Sequence, residues 1–170
     1  MLYTPAEANK LLRSLQDREQ MLLAEEEKNC TFVAAHVEDP EKVRPDYNFI
    51  EMKDKLARLK RDILEVKHAI NRFNVLTEVP GTRFTVDQLL VLIPKLKERQ
   101  WNLRVMASRS PSERIPVNAS GLVEYRYANY DVQLAKNYYE MVSAELDGYR
   151  IALDTLNNTA KEIKIDSSIM

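Results

Sequence analysis

Residues 49 to 73 carry the pattern that most limits the fold. Phe49, Met52, Leu56, Leu59, Ile63, Val66, Ile70 and Phe73 are spaced 3-4-3-4-3-4-3, a heptad seam held through three heptads. Eleven of the 17 residues between them are charged. The same rhythm returns at Val132, Ala135, Tyr139, Val142, Leu146, Tyr149, Leu153 and Leu156. Two seams of matching length can close on one another as an antiparallel pair, or each can close on another copy of itself.

Two further stretches read as helix. "TPAE" at residues 4 to 7 offers Thr4 as cap, Pro5 at the first helical position and Glu7 to complete a capping box. Leu11, Leu15 and Leu22 then share a face, which Arg18 interrupts. "FTVDQL" repeats the start signal with Thr85 and Gln88. Val86, Leu89, Ile93, Leu96, Leu103 and Ala107 follow at 3/4 spacing, with Gln100 in the seam and Pro94 inside the helix. The expected helices are residues 4–29, 46–73, 85–107 and 130–157. Asp46 is the expected cap of the second, and "NNT" at 157 to 159 the end of the fourth.

Short strands are expected at 31–37 ("TFVAAHV"), 122–127 ("LVEYRY") and 161–166 ("KEIKID"), gathered in one small sheet. Tyr125 and Tyr127 would share one half-buried face of the middle strand. "VPGT" at 79 to 82 reads as a turn, and 108–120 as a loop. The fold class is therefore mainly α: a long antiparallel helical hairpin or bundle with coiled-coil-like heptad seams and a few short β-strands, in a single domain over 1–170.

Chemistry is sparse. Three glycines in 170 residues leave little room for a P-loop or a Rossmann turn. Glu65 and His68 form an E-x-x-H pair on one helical face, the spacing used twice over in di-metal carboxylate bundles. Only one such pair is present, so these two are weak metal candidates beside the simpler reading of a solvated ion pair. Cys30, the only cysteine, follows an acidic run, a poor setting for a nucleophilic thiol, which needs electropositive surroundings. No nucleophile, triad or cofactor motif is found, so the chain is read as non-enzymatic and without a cofactor.

The net charge of −1 hides an uneven distribution. Residues 49–73 hold seven Lys/Arg against four Asp/Glu, residues 83–114 seven against three, and residues 115–170 five against eight. The basic flank of the second and third helices could meet phosphates, which keeps nucleic-acid binding as an alternative. It could equally face the acidic fourth helix, within a chain or across subunits. There is no signal-peptide pattern at the N-terminus and no apolar run of about 20 residues. The expectation is a cytoplasmic protein with no membrane partner.

"INRFN" (70–74), "TVDQLL" (85–90), "ASRSPSE" (107–113) and "ELDGYRIALDTLNN" (145–158) resemble stretches of a family of bacterial helical proteins, some called septicolysin. The resemblance covers about residues 45–160 and implies a long helical hairpin that assembles into a homo-oligomer.

The residues themselves point the same way. Helices of about 25 residues reach about 37 Å. A hairpin that slender cannot bury both seams and also Leu64, Leu90, Trp101 and Tyr138. Burial against other copies would. The expected function is a self-assembling structural or interaction protein whose partner is itself. The interface candidates are Phe49, Met52, Leu56, Leu59, Ile63, Val66, Tyr139, Leu146, Tyr149 and Leu153. A metal-binding bundle is a further alternative. The eight tyrosines need separating, because five lie between 125 and 139. Tyr139 and Tyr149 fall on a seam; Tyr130 and Tyr138 fit neither strand nor seam, which makes them candidates for an interface or ligand surface.

Overall fold

The computed structural model describes residues 1–116, 123–167 and 169. In chain order the elements are β1 (Leu2–Tyr3), α1 (Pro5–Asn29), α2 (Pro40–Val43), α3 (Phe49–Leu76), α4 (Val86–Ala107), β2 (Ser112–Arg114), β3 (Tyr125–Tyr127), α5 (Val132–Thr159) and β4 (Ile163–Lys164). The protein is mainly α with a few short antiparallel strands. It divides into two compact units, Met1–Asn74 with Asn157–Met170, and Val75–Leu156.

The first unit is built on α1 and α3. The capping box forms as its residues dictate: Glu7 N–H donates to Thr4 Oγ1, and Thr4 N–H donates to the Glu7 carboxylate at 2.9 Å. Thr4 is itself buried. Tyr47, just before α3, donates its hydroxyl to Glu26 near the end of α1. Earlier on α1, Arg18 and Leu22 share a groove with Lys55 through Asp62 of α3. The two helices therefore run antiparallel. β1 pairs with β4, Leu2 opposite Lys164 and Tyr3 opposite Ile163, and the terminal amine of Met1 donates to Ile165 O at 2.7 Å. Ile163, Ile165 and Ile169 are buried.

The second unit is a helical hairpin of α4 and α5. "VPGT" makes its turn, with Thr82 N–H on Val79 O and Gly81 at φ +78°, where a side chain would be strained. Thr85 and Gln88 form the capping box, and α4 runs through Pro94. Asp131 caps α5 by accepting from the N–H groups of Gln133 and Leu134. Three ties set the antiparallel register. Phe84 meets the Tyr149 ring edge-on at 5.8 Å, Gln100 Nε2 donates to Ser143 Oγ at 2.9 Å, and Tyr130 donates its hydroxyl to Met106 O at 2.9 Å.

Several expectations need correcting. Residues 31–37 are not a strand. Val33 is 95% exposed, and Phe32 and Val37 are exposed as well. A strand needs an edge to pair with. Here the Glu38 carboxylate instead accepts from Ala35 N–H, and Asp39 caps the short helix α2, which begins at Pro40. The small sheet is not one sheet but two separate pairs, β1 with β4 and β2 with β3.

Part of the expected loop 108–120 is strand β2; residues 117–120 lie outside the described residues, as does Leu122. β3 keeps Tyr125 and Tyr127 on one face, ring centroids 6.3 Å apart, but all three of its residues are exposed. A two-stranded ribbon whose residues all meet solvent cannot half-bury a face. Asn48, not Asp46, caps α3, accepting from Ile50 and Glu51 N–H. "NNT" remains helical, because poor helix formers in a last turn forfeit few bonds.

Candidate functional site

The heptad spacing sorts the expected interface residues by burial. Met52, Leu59 and Val66 on α3, and Leu146 and Leu153 on α5, are buried within the single chain. Leu56, Ile63, Tyr139 and Tyr149 are half-buried. Phe49 stays 59% exposed. Partial desolvation raises the Tyr149 hydroxyl above its ordinary pKa, helped by the hydrogen bond it donates to Glu145 at 2.9 Å.

Glu65 and His68 are both exposed. Among the described residues no three of His, Cys, Asp and Glu come together around a space for a metal ion. A cation on Glu65 and His68 would need ligands beyond these two. Cys30 is exposed, its thiol donating to Glu27 O.

The second unit does bring together residues that the helical patterns leave over. A cleft of about 230 Å³ is lined by Arg99, Leu103 and Met106 of α4, and by Tyr130, Asp131, Leu134, Ala135 and Tyr138 at the start of α5. Tyr130 and Tyr138, which fit neither strand nor seam, share it. The i, i+4, i+7 spacing of Leu134, Tyr138 and Met141 puts them in one stripe on α5, 64%, 48% and 66% exposed. On α4, Leu90 and Trp101 are exposed too, and the Arg104 guanidinium lies over the Trp101 ring at 6.0 Å.

Tyr130 also borders a second hollow, of about 220 Å³, at the foot of the β-hairpin. Its lining includes Arg109, Glu113, Arg126 and Tyr127, and Arg126 pairs with Glu113 at 3.7 Å. The Tyr130 ring thus stands between two concavities, pinned by its bond to the α4 carbonyl at Met106. The arrangement can hold aromatic and apolar groups. It presents no nucleophile with a base beside it.

Comparison with family models, with curated proteins and with solved structures returns no match. The likeness of residues 45–160 to septicolysin-like chains therefore rests on its short motifs alone. No helix among the described residues is long and apolar enough to cross a membrane.

Sequence reasoning singled out Tyr130 and Tyr138 but missed that both belong to one cleft with Leu103 and Met106. The signal was present: Leu134 and Met141 stand at helical spacing from Tyr138, off the seam. The pairing of β1 with β4 left no readable signal, since two-residue strands fall below any window in which alternation can be seen.

Proposed function

We propose that this protein is a helical interaction protein that associates with copies of itself through the Tyr138 face of the α4–α5 unit. The observation that carries this reading is the stripe Leu134, Tyr138 and Met141 beside a cleft, left exposed while the seam on the same helix is buried. Its Tyr138 and Met141, with Tyr130, Met106 and Arg99 in the cleft, are residue types enriched in interface cores. Tyrosine suits such a place because its ring buries while its hydroxyl finds a polar partner.

The occupant favoured is a second copy of the chain, because of charge. Helix α4 carries four Lys/Arg against two Asp/Glu, and α5 carries two against four. Two copies related by a twofold axis can set each basic α4 against the partner's acidic α5, an isologous contact in which one patch serves both subunits. The seam residues Met52, Leu59, Val66, Leu146 and Leu153 then serve each chain's own core.

The test compares charge insertions at matched exposure, read by size-exclusion chromatography. Tyr138→Glu and Met141→Glu shift the protein to a smaller species, while Leu64→Glu, an equally exposed site on α3, leaves the profile unchanged. Equal behaviour of all three variants and the parent counts against the Tyr138 face.

A further inference from the structure

The apolar face of α1 is interrupted at Arg18 and Glu19, Arg18 exposed and Glu19 half-buried, and the α1–α3 pairing gives that break a consequence. Where leucine would have closed the seam, the helices leave a groove of about 470 Å³. Its lining is Arg18 and Leu22 from α1, and Lys55, Arg58, Leu59 and Asp62 from α3. Leu59 is buried and Leu22 half-buried, so the groove has apolar surface at its base.

Three cations share this space, and among the described residues none of them forms an ion pair. Arg58 Nε donates to Asp54 O at 3.3 Å, one turn back on its own helix. Its terminal nitrogens, the Arg18 guanidinium and the Lys55 ammonium have no protein acceptor among the described residues. Asp62, half-buried and one turn beyond Arg58, forms no ion pair with any of the three among the described residues. Like charges gathered in a concavity repel one another, and their field is focused by its low-dielectric walls. An anion relieves that repulsion and gains charge-assisted hydrogen bonds.

We propose that this groove binds a phosphorylated small molecule that also carries hydroxyl groups. The lining's three cations outnumber its one carboxylate, and with Glu19 half-buried next to Arg18 the excess is one to two positive charges, which suits a phosphate monoester of charge about −1.5 to −2 at neutral pH. Arg58 and Arg18 supply forked donors for the phosphate oxygens, and Lys55 a point charge. Asp62 repels phosphate but accepts from hydroxyls, so it sets the ligand's direction: phosphate toward the arginines, hydroxyls toward Asp62. The leucines take the carbon framework. The volume lies within the usual range of small-molecule sites, about 300–1,000 Å³. A nucleic-acid strand fits less well, because it would need a continuous basic track and here a carboxylate stands in the groove.

Isothermal titration of the full chain with ribose 5-phosphate tests this, with inorganic phosphate, ribose and a short single-stranded DNA as parallel titrants. Ribose 5-phosphate binds at one site per chain and binds tighter than inorganic phosphate or ribose. Arg18→Gln and Arg58→Gln each weaken it about tenfold or more, with thermal unfolding unchanged or slightly raised, because both side chains are exposed and each substitution relieves repulsion. Asp62→Asn removes the preference for ribose 5-phosphate over inorganic phosphate. No binding at millimolar ligand overturns the proposal, as does binding that ignores the two arginine substitutions. DNA binding tighter than ribose 5-phosphate, lost steeply as salt rises, overturns it in favour of a nucleic-acid surface.

Discussion

The two helical pairs are built on the same rhythm and fail it in opposite ways. In the α4–α5 unit apolar residues are in surplus. The seam closes, and Leu134, Tyr138, Met141, Leu90 and Trp101 remain outside it. The α1–α3 unit also leaves Met21, Phe49, Ile50 and Leu64 exposed, but the α1 face that meets α3 is in deficit. The α1 face runs Ala8, Leu11, Leu15, then half-buried Glu19, Leu22, Glu26 and Asn29, while the α3 seam remains apolar throughout. Surplus leaves a patch that a partner can cover, and deficit leaves a groove that a ligand can enter. Periodicity decides that helices pair; departures from periodicity decide where the molecule is open to others.

The largest break in this comparison comes from matched truncations. Leu146 is fully buried in the closed seam, so Leu146→Ala costs about 2–5 kcal/mol by urea unfolding, from lost transfer energy and the cavity left behind. Leu22→Ala, at the wall of the open groove, costs less than about 1 kcal/mol, because the groove already admits water. Equal costs would mean that the groove is not open.

A smaller effect is expected at Gln100, the polar residue in the otherwise closed seam. Gln100→Ala removes its bond to Ser143 and costs about 1 kcal/mol; Ser143 keeps its own bond to Tyr139 O. Gln100→Leu is neutral or stabilising, since a half-buried polar pair gives way to packing. A substantial loss with leucine would show that this pair sets the helix register and is no mere tolerated exception.

The capping boxes sharpen the contrast further. Thr4 is buried and Thr85 half-buried. Thr85→Ala costs about 1 kcal/mol, and Thr4→Ala more, because Thr4 has no access to replacement water. The boxes also differ in charge, Glu7 in one and neutral Gln88 in the other. The hydrogen bond that the Glu7 carboxylate accepts from Thr4 N–H holds its pKa below the ordinary glutamate value, with Lys161 adding charge attraction. A carboxylate depressed in the folded state stabilises above its unfolded pKa and loses that contribution as pH falls through the folded one. The Thr4 amide resonance therefore shifts on acidification below the ordinary glutamate range, while the Thr85 amide does not. Glu7→Gln abolishes the difference.

Much of this was readable in the chain. Helices α3 and α5, both capping boxes and the turn at Gly81 follow from spacing and local chemistry, and the structure places them where those rules put them, although Phe49 of the α3 seam stays exposed. Arg18 was visible as an interruption, yet not as one wall of a groove. Its neighbours Lys55 and Arg58 are set by the register between two helices, which no local pattern records. The strand expected at 31–37 shows the converse: Val33 and Val37 have strand propensity, but propensity without an edge to pair with makes no strand. Tyr125 and Tyr127 alternate as half-buried residues do, yet burial depends on what covers the sheet, and their ribbon stays exposed.

The central claim is that the apolar surplus of the α4–α5 unit is covered by another copy of the chain. Light scattering coupled to size exclusion at micromolar concentration measures this most directly. The account predicts a mass of twice the 19.8 kDa chain or a higher multiple. A single species at the chain mass would contradict it.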